Sequence, residues 1–157
     1  MSFKVGNIKD VVVKDLAKNV DSRGWLVELF RNDELCEDIF PAMSYISMTN
    51  PKIVRGPHEH IEQTDYFCFV GFQFKLMLWD NRKESDTYLN KMILEINDSD
   101  YKVVIVPPRV VHAYKNTGRG PGYVFNFPNK LYAGPGKKEN VDEIRYENDS
   151  NSPFKIE

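Results

Sequence analysis

The chain has 157 residues, a length typical of one domain, and its hydrophobic fraction of 41% and aromatic fraction of 13% exclude an intrinsically disordered protein. The 21 basic and 23 acidic residues give a formal net charge of -2, which excludes a broad basic surface for nucleic acid or an anionic membrane. No leader segment is recognisable and no apolar run reaches the ~18 residues of a membrane span. We therefore expect a cytoplasmic protein without a nucleic-acid or membrane partner. Its two cysteines, Cys36 and Cys68, are expected to be free thiols.

The predicted elements along the chain are short strands separated by turns. Gly24–Phe30 alternates in the manner of a strand, and Asn32–Phe40 is predicted to be a short helix because Leu35 and Ile39 are four residues apart. Further aromatic and β-branched runs predict strands at 65–71, 72–80, 101–108 and 122–128, with clusters of Asp, Asn, Gly and Pro between them. This pattern indicates an all-β sandwich or barrel with short peripheral helices.

The chain becomes polar after Tyr132 and contains few apolar anchors from there on. We expect one domain over residues 1–157, in which 133–157 is a polar C-terminal extension. This extension is predicted to wrap the surface or to lie against a partner subunit.

Histidines provide the main indication of chemistry. His58 and His60 belong to the stretch VRGPHEHIEQTDYF, and on a strand residues i and i+2 face the same side. The third histidine, His112, follows a proline pair, and Asp65 lies close after the first two. Imidazole and carboxylate groups suit a divalent transition metal, and histidine is equally suited to proton transfer near neutral pH. The spacing leaves both uses open.

The order of these residues resembles the two signature motifs of the cupin superfamily. The first motif extends from Gly56 to Gly71, and the second is the P-x-x-x-x-H-x-x-x-N pattern from Pro107 to Asn116. The resemblance implies a double-stranded β-helix, also called a jelly-roll barrel. It also implies that a metal, if one were bound, would be held by the set His58, His60, Asp65 and His112. We favour no metal and no cofactor.

Four segments narrow the resemblance to one family within the cupins. DSRGWLVELF, VRGPHEH, WDNRKESDTY and VPPRVVHAY resemble, in this order, segments of the dTDP-4-dehydrorhamnose 3,5-epimerases. The resemblance implies a homodimer that binds a nucleoside-diphosphate 4-keto-6-deoxy sugar. The implied reaction removes a proton beside the keto group and returns one to the other face, at carbon 3, carbon 5 or both.

The same resemblance suggests roles for individual residues. His58 matches the catalytic base. Arg23 and Arg55 match arginines that bind the diphosphate, and Glu28 matches a residue on the nucleotide side of the site. His60, Asp65 and Tyr132 complete the catalytic set that we predict, whereas the further substrate-binding candidates are Gln63, His112 and Asn126.

Three departures from the family pattern indicate altered chemistry, such as epimerisation at one carbon only, or lost chemistry. Asp65 stands where the family carries an enolate-stabilising lysine, and Asn126 stands where it carries the proton-donating tyrosine. We therefore consider Tyr66, Tyr114 and Tyr132 as substitute donors, with Tyr132 first. The C-terminal aspartate that orients the base has no equivalent recognisable in the sequence, so we consider Asp65 or Glu59 for that role.

Three alternatives remain open at the level of sequence. RGPHEHIEQ also resembles the R-G-x-H-A-H motif of dTDP-hexose 3,4-ketoisomerases, in which two histidines, here His58 and His60, move protons between carbons 3 and 4. A metal-dependent cupin enzyme and a non-catalytic sugar-binding module are the other two.

Overall fold

The computed structural model describes residues 2–156 as two facing β-sheets and a separate hairpin. The strands are β1 (Lys4–Val5), β2 (Val12–Asp15), β3 (Lys18–Asp21), β4 (Gly24–Val27), β5 (Tyr45–Thr49), β6 (Val54–Glu59), β7 (Asp65–Val70), β8 (Phe74–Asp80), β9 (Asn90–Ile96), β10 (Tyr101–Val106), β11 (Val110–Asn116), β12 (Gly122–Asn126) and β13 (Ile144–Arg145). The larger sheet has the order β1-β9-β8-β11-β6-β13, and the smaller has the order β2-β10-β7-β12-β5. Strands β3 and β4 form the hairpin. The predicted all-β class is confirmed.

The core lies between the two sheets. Its centre contains side chains from β7, β8, β10 and β12 that are almost fully buried, among them Phe67, Phe69, Leu76, Val104 and Val124. Each strand contributes every second residue to this layer, which is the period of a pleated strand. The aromatic runs predicted at 65–71 and 72–80 are therefore the two central strands that face each other.

A second apolar cluster lies on the outer face of the larger sheet, beneath the C-terminal segment. Met77, Trp79, Val111 and Ala113 point outward from β8 and β11 and are covered by Phe154. Because both faces of these strands are covered, residues 76–79 of β8 form a continuous apolar run instead of an alternating one. The C-terminal segment thus packs on its own chain.

The prediction of a helix over Asn32–Phe40 is wrong. The segment contains two 3-10 turns, Asn32–Glu34 and Glu37–Ile39, separated by Cys36 in an extended conformation with ψ 145°. No side chain of either turn is buried, so no tertiary packing stabilises a helix in this segment.

Within the described residues, no helix is long and apolar enough to cross a membrane. Both cysteines are free thiols, Cys36 exposed and Cys68 buried.

Candidate active site

A cavity of about 530 Å³ opens between the two sheets at the edge formed by β5, β6 and β13. Its walls carry polar and charged groups from three parts of the chain. The larger sheet contributes Arg55 and His58, strand β5 contributes Tyr45 and Ser47, and the C-terminal segment closes one side. The lining also includes His60, Gln63, Tyr132, Asp142, Glu143 and Arg145.

The three histidine rings are packed together at the inner end of this cavity. The ring centroid of His58 lies 4.3 Å from that of His112 and 5.6 Å from that of His60, and the remaining pair is 5.8 Å apart. Gly56 makes the close approach possible. At φ +84° an added Cβ would lie 2.6 Å from the carbonyl oxygen of His112 and 3.1 Å from Nδ1 of His58. The glycine before the first histidine therefore fixes the distance between the two strands that carry the cluster.

Asp65 connects the histidines to the smaller sheet. Its Oδ2 atom lies 3.2 Å from Nε2 of His60 and 3.2 Å from Nε2 of His112. Nε2 of His112 makes no hydrogen bond within the described residues, so its contact with Asp65 is one of close distance alone. Burial by itself raises the pKa of Asp65, but the contacts with His112 and His60 outweigh it and hold this pKa well below its usual value. The buried carboxylate is therefore ionised.

His60 carries the compensating positive charge. Its Nδ1 atom contacts the carbonyl oxygen of Asp142, and its Nε2 atom faces Asp65. Burial lowers the pKa of His60, but the hydrogen bond and charge of Asp65, together with the Asp142 carbonyl, raise it to about 9. At neutral pH His60 is an imidazolium that donates in both directions.

His58 has the opposite protonation state. Burial, together with electrostatic repulsion from the neighbouring His112 and His60 rings, lowers the pKa of His58 to about 2. Its Nε2 atom lies 3.8 Å from Oε1 of Glu143, whose other carboxylate oxygen accepts a hydrogen bond of 2.7 Å from Nε of Arg145 and forms an ion pair with that side chain. His58 is thus a neutral imidazole on the cavity wall, available to accept a proton.

The C-terminal segment is fixed to the site by Asp142. Its carboxylate accepts hydrogen bonds from three successive backbone N–H groups, those of Ile61, Glu62 and Gln63, at 2.7 to 2.9 Å. Two residues later β13 pairs with β6, so that Arg145 lies opposite His58 in the sheet. This anchor places Glu143 beside His58, a position that the sequence did not reveal because the two are far apart in the chain.

The opposite wall is formed by β5 and β12 of the smaller sheet. Alternate residues of β5 point inward, and each of them makes a side-chain hydrogen bond. The hydroxyl of Tyr45 accepts a bond of 2.9 Å from Nδ2 of Asn126, and Ser47 pairs with the hydroxyl of Tyr114 at 2.8 Å. Arg55 reaches across to this strand, donating to the Thr49 hydroxyl at 3.0 Å and to the Met48 carbonyl at 2.7 Å.

Most of the residues predicted from sequence meet in this region. His58, His60, Arg55, Gln63 and Tyr132 line the cavity, and three further candidates lie directly behind them: Asp65, His112 and Asn126. Gln63 and Asn126 both donate to Oδ1 of Asp65, at 2.9 and 2.8 Å.

Other candidates lie elsewhere in the isolated chain. Arg23 stands on the β3–β4 hairpin with 88% of its side chain exposed, paired with Asp21, and Glu28 is exposed beside Arg31. Glu59, which we considered for orienting the base, faces the opposite side of β6, where it accepts hydrogen bonds from Tyr146 and Asn81. The hydroxyl of Tyr66 donates to the carbonyl of Leu29 outside the cavity.

The three histidines are also the described residues best placed to hold a metal ion. One ring nitrogen from each lies within 4.8 Å of the others. The Nδ1 atoms of His60 and His112 face backbone carbonyls, an arrangement that typically turns Nε2 toward a ligand. The donor set therefore fits a divalent transition metal as well as a proton-transfer site.

Two facing sheets with a histidine cluster at the open edge define a cupin-type barrel with an interior site. The sequence matches the family described as dTDP-4-dehydrorhamnose 3,5-epimerase over residues 6–139, and the chain belongs to this family. It is an epimerase of the nucleotide-sugar class.

Individual relatives agree with this assignment. The chain is 39% identical over 127 residues to the probable low-salt glycan biosynthesis epimerase Agl13 of Haloferax volcanii, covering 80% of this chain and 81% of the relative. Its fold is similar to that of a dTDP sugar isomerase from Desulfovibrio desulfuricans, with a TM-score of 0.82 at 19% identity over 94% of this chain and 91% of the other. A 3'-monoepimerase from Streptomyces bikiniensis, ChmJ, gives a TM-score of 0.76 at 16% identity, covering 92% and 72% of the two chains.

Proposed function

We propose that this epimerase inverts carbon 3, carbon 5 or both of a nucleoside-diphosphate 4-keto-6-deoxy sugar, with His58 as the base. The observation that carries the proposal is the position of His58 on the cavity wall, with Glu143 3.8 Å from its Nε2 atom and His60 beside it. His58 is buried and neutral on the cavity wall, whereas His60 next to it is cationic. A neutral imidazole accepts a proton from the carbon beside a ketone, and the bond electrons then form an enolate.

Charge at the inner end of the cavity supports this chemistry. Asp65 stands at the position of the enolate-stabilising lysine of the family, so that lysine's positive charge is absent. The carboxylate of Asp65 raises the pKa of His60, however, and thereby keeps His60 protonated. We propose that this imidazolium supplies the positive field which the lysine would otherwise give to the enolate oxygen. Glu143, 3.8 Å from Nε2 of His58, stabilises the imidazolium that forms when His58 takes the proton.

Arg55 is proposed to bind the diphosphate of the substrate. It lines the cavity, and its guanidinium group donates to Thr49 and to the Met48 carbonyl, which leaves further N–H groups for phosphate oxygens. The family description and the dTDP-quinovose complex of ChmJ suggest a thymidine nucleotide as the first ligand to test.

A homodimer is proposed to complete the nucleotide side of the site. Arg23 and Glu28 are outside the cavity of their own chain and exposed to solvent. The hairpin that carries Arg23 and the outer face of β5 nearby present large exposed apolar side chains: Trp25, Leu26, Ile46 and Met48. Such side chains mark a protein interface, and a second copy seated on them would cover this face.

The direct experiment is mass spectrometry and NMR in heavy water with a panel of 4-keto-6-deoxy nucleotide sugars. We expect deuterium at carbon 3 or carbon 5 and a product of inverted configuration. Uptake of the nucleotide sugar without any exchange would contradict the proposal and would indicate a binding module.

The 3,4-ketoisomerase alternative is supported by one observation, the adjacency of His58 and His60 on the cavity wall with ring centroids 5.6 Å apart. The same spectra separate the two reactions, because an isomerase gives a product whose keto group has moved to carbon 3. A metal-dependent reaction would require about one equivalent of metal per chain after purification.

A further inference from the structure

We propose that Tyr45, on strand β5, is the acid that delivers the second proton of the epimerisation. This inference rests on the proposed function and identifies a catalytic residue that the sequence motifs do not mark. Asn126 stands where the resemblance places the proton-donating tyrosine, and a neutral amide does not donate a proton to a carbanion. The structure places a tyrosine from the neighbouring strand beside it.

Strand register explains how Tyr45 reaches this position. In the antiparallel pair formed by β5 and β12, Tyr45 lies directly opposite Asn126. The Asn126 side chain donates one N–H to the Tyr45 hydroxyl at 2.9 Å and another to Asp65 at 2.8 Å. Its carbonyl oxygen accepts the backbone N–H of Tyr66 at 3.0 Å, so that the amide is held in one orientation. Asn126 thus acts as a fixed support for the phenol.

The direction of this hydrogen bond leaves the phenolic proton free. The Tyr45 oxygen is the acceptor, and among residues 2–156 its own O–H has no protein acceptor. The other tyrosines near the site differ. Tyr66 donates to the Leu29 carbonyl, and the Tyr114 hydroxyl is paired with Ser47. Tyr132 lies at the cavity edge, 53% exposed, and no hydrogen bond holds its hydroxyl within the described part of the chain.

The location of Tyr45 suits inversion. Tyr45 and His58 line the same cavity, but one belongs to the smaller sheet and the other to the larger. A sugar ring between the sheets would present one face to each residue. The Tyr45 side chain is 45% exposed and therefore accessible to substrate, while its hydroxyl is tied to buried Asn126. Burial and the charge of Asp65 raise the pKa of Tyr45, so that the phenol keeps its proton until a strong base such as an enolate carbon forms.

His58 removes the proton from the carbon beside the ketone, and the electrons of the C–H bond move into the enolate. The enolate carbon then takes the proton of the Tyr45 O–H on the opposite face, which restores the ketone and leaves a phenolate. The imidazolium of His58 releases its proton to water, and the phenolate regains one from water. No oxidant, reductant or metal takes part.

The test compares Tyr45→Phe in the full-length protein with Tyr132→Phe, which removes the hydroxyl of the rival candidate donor at the edge of the same cavity. Removal of the hydroxyl leaves the ring and the Asn126–Asp65 bond in place, and thermal denaturation with dTDP binding verifies the fold. In heavy water, we expect Tyr45→Phe to reduce inversion by about 10²–10⁴-fold, the usual effect of a general acid. Exchange of the carbon-bound hydrogen with retention should remain within about tenfold of wild type, because His58 still removes and returns protons on its own face.

Two results would overturn the assignment. One is inversion by Tyr45→Phe within about threefold of wild type, and the other is separation of exchange from inversion in Tyr132→Phe instead. Absence of both exchange and inversion in the wild-type protein would reject the proposed function itself. Normal inversion in wild type and in Tyr45→Phe would reject only the role of Tyr45.

Discussion

At the scale of single residues, the site depends on one buried carboxylate, Asp65, which lies against two of the three imidazole rings. Asp65 is ionised and fully buried, and its contacts keep His60 protonated. Burial and the neighbouring histidine rings lower the pKa of His58 and keep it neutral. Adjacent histidines of an H-x-H motif therefore have different protonation states, which periodicity alone could not predict because the difference comes from Asp65 and Asp142.

The first prediction concerns the dependence of stability on pH. The pKa of His60 is raised from 6.5 to about 9, so its stabilisation is fully present below pH 6.5 and is lost as the pH rises through 9. The pKa of Asp65 is lowered from 3.8, so its contribution is present above pH 3.8 and is lost on acidification below that value. Urea denaturation should show wild-type stability declining between pH 6.5 and 9.

His60→Gln should be almost insensitive to pH over that alkaline range. The matched control is His58→Gln, which should retain the decline because the pKa of His58 is lowered instead of raised. An alkaline decline that persists in His60→Gln would contradict the assigned charge.

A second prediction at this scale concerns Gly56. Its φ of +84° and the 2.6 Å approach of the His112 carbonyl to an added Cβ leave no room for a side chain. Gly56→Ala should lower the free energy of unfolding by at least about 1–2 kcal/mol, the strain of a left-handed non-glycine residue. Gly120→Ala, where nothing lies within 4 Å of the added Cβ, should change it by about 0.5 kcal/mol or less. Equal effects in urea titrations would refute the packing argument.

At the scale of elements, the site is assembled from strands that sequence reasoning found and from segments that it missed. The histidines, Arg55 and Asp65 were found because strand periodicity and motif spacing are local properties of β6, β7 and β11. Tyr45 was missed because β5 was not predicted as a strand. Glu143 and Asp142 were missed because β13 is two residues long and pairs with a strand distant in the chain. The helix predicted at 32–40 is wrong because neither of the two turns in that segment buries a side chain.

The third prediction concerns the anchor of the C-terminal segment. Asp142→Ala removes the acceptor of three backbone N–H groups, and a hydrogen bond to a charged group typically contributes about 1.5–3 kcal/mol. We expect faster hydrogen exchange of the Ile61, Glu62 and Gln63 amides and at least a tenfold loss of turnover, because Glu143 is no longer held beside His58. Asp86→Asn, whose side chain is 84% exposed, serves as the control and should change neither quantity. Unchanged exchange at residues 61–63 would show that the anchor is unimportant.

At the scale of the whole molecule, the fold positions the cavity but does not by itself provide the nucleotide contacts of the proposed function. The all-β class and the cupin architecture followed from the spacing of short strands and from the motifs. The position of the β3–β4 hairpin relative to the cavity could not be predicted from the sequence. It depends on the exposed apolar surface around Trp25 and Ile46 and on what covers that surface.

The fourth prediction is that the site is shared between two subunits. Arg23→Ala and His58→Asn proteins should each be inactive, yet a mixture that exchanges subunits should regain about a quarter of wild-type activity. Half of the dimers would then be mixed, each with one cavity that has both an intact His58 and an intact Arg23. A failure to complement, with sedimentation showing that mixed dimers form, would place Arg23 outside the site.

The central claim is that His58 removes a proton from a carbon of a keto sugar inside this barrel. The most direct measurement is the rate of deuterium incorporation from heavy water into a 4-keto-6-deoxy dTDP sugar by His58→Asn, with dTDP affinity measured in parallel. We predict that incorporation falls to the rate without enzyme while affinity stays within a few fold of wild type. Incorporation at the wild-type rate by a folded, nucleotide-binding His58→Asn protein would contradict it.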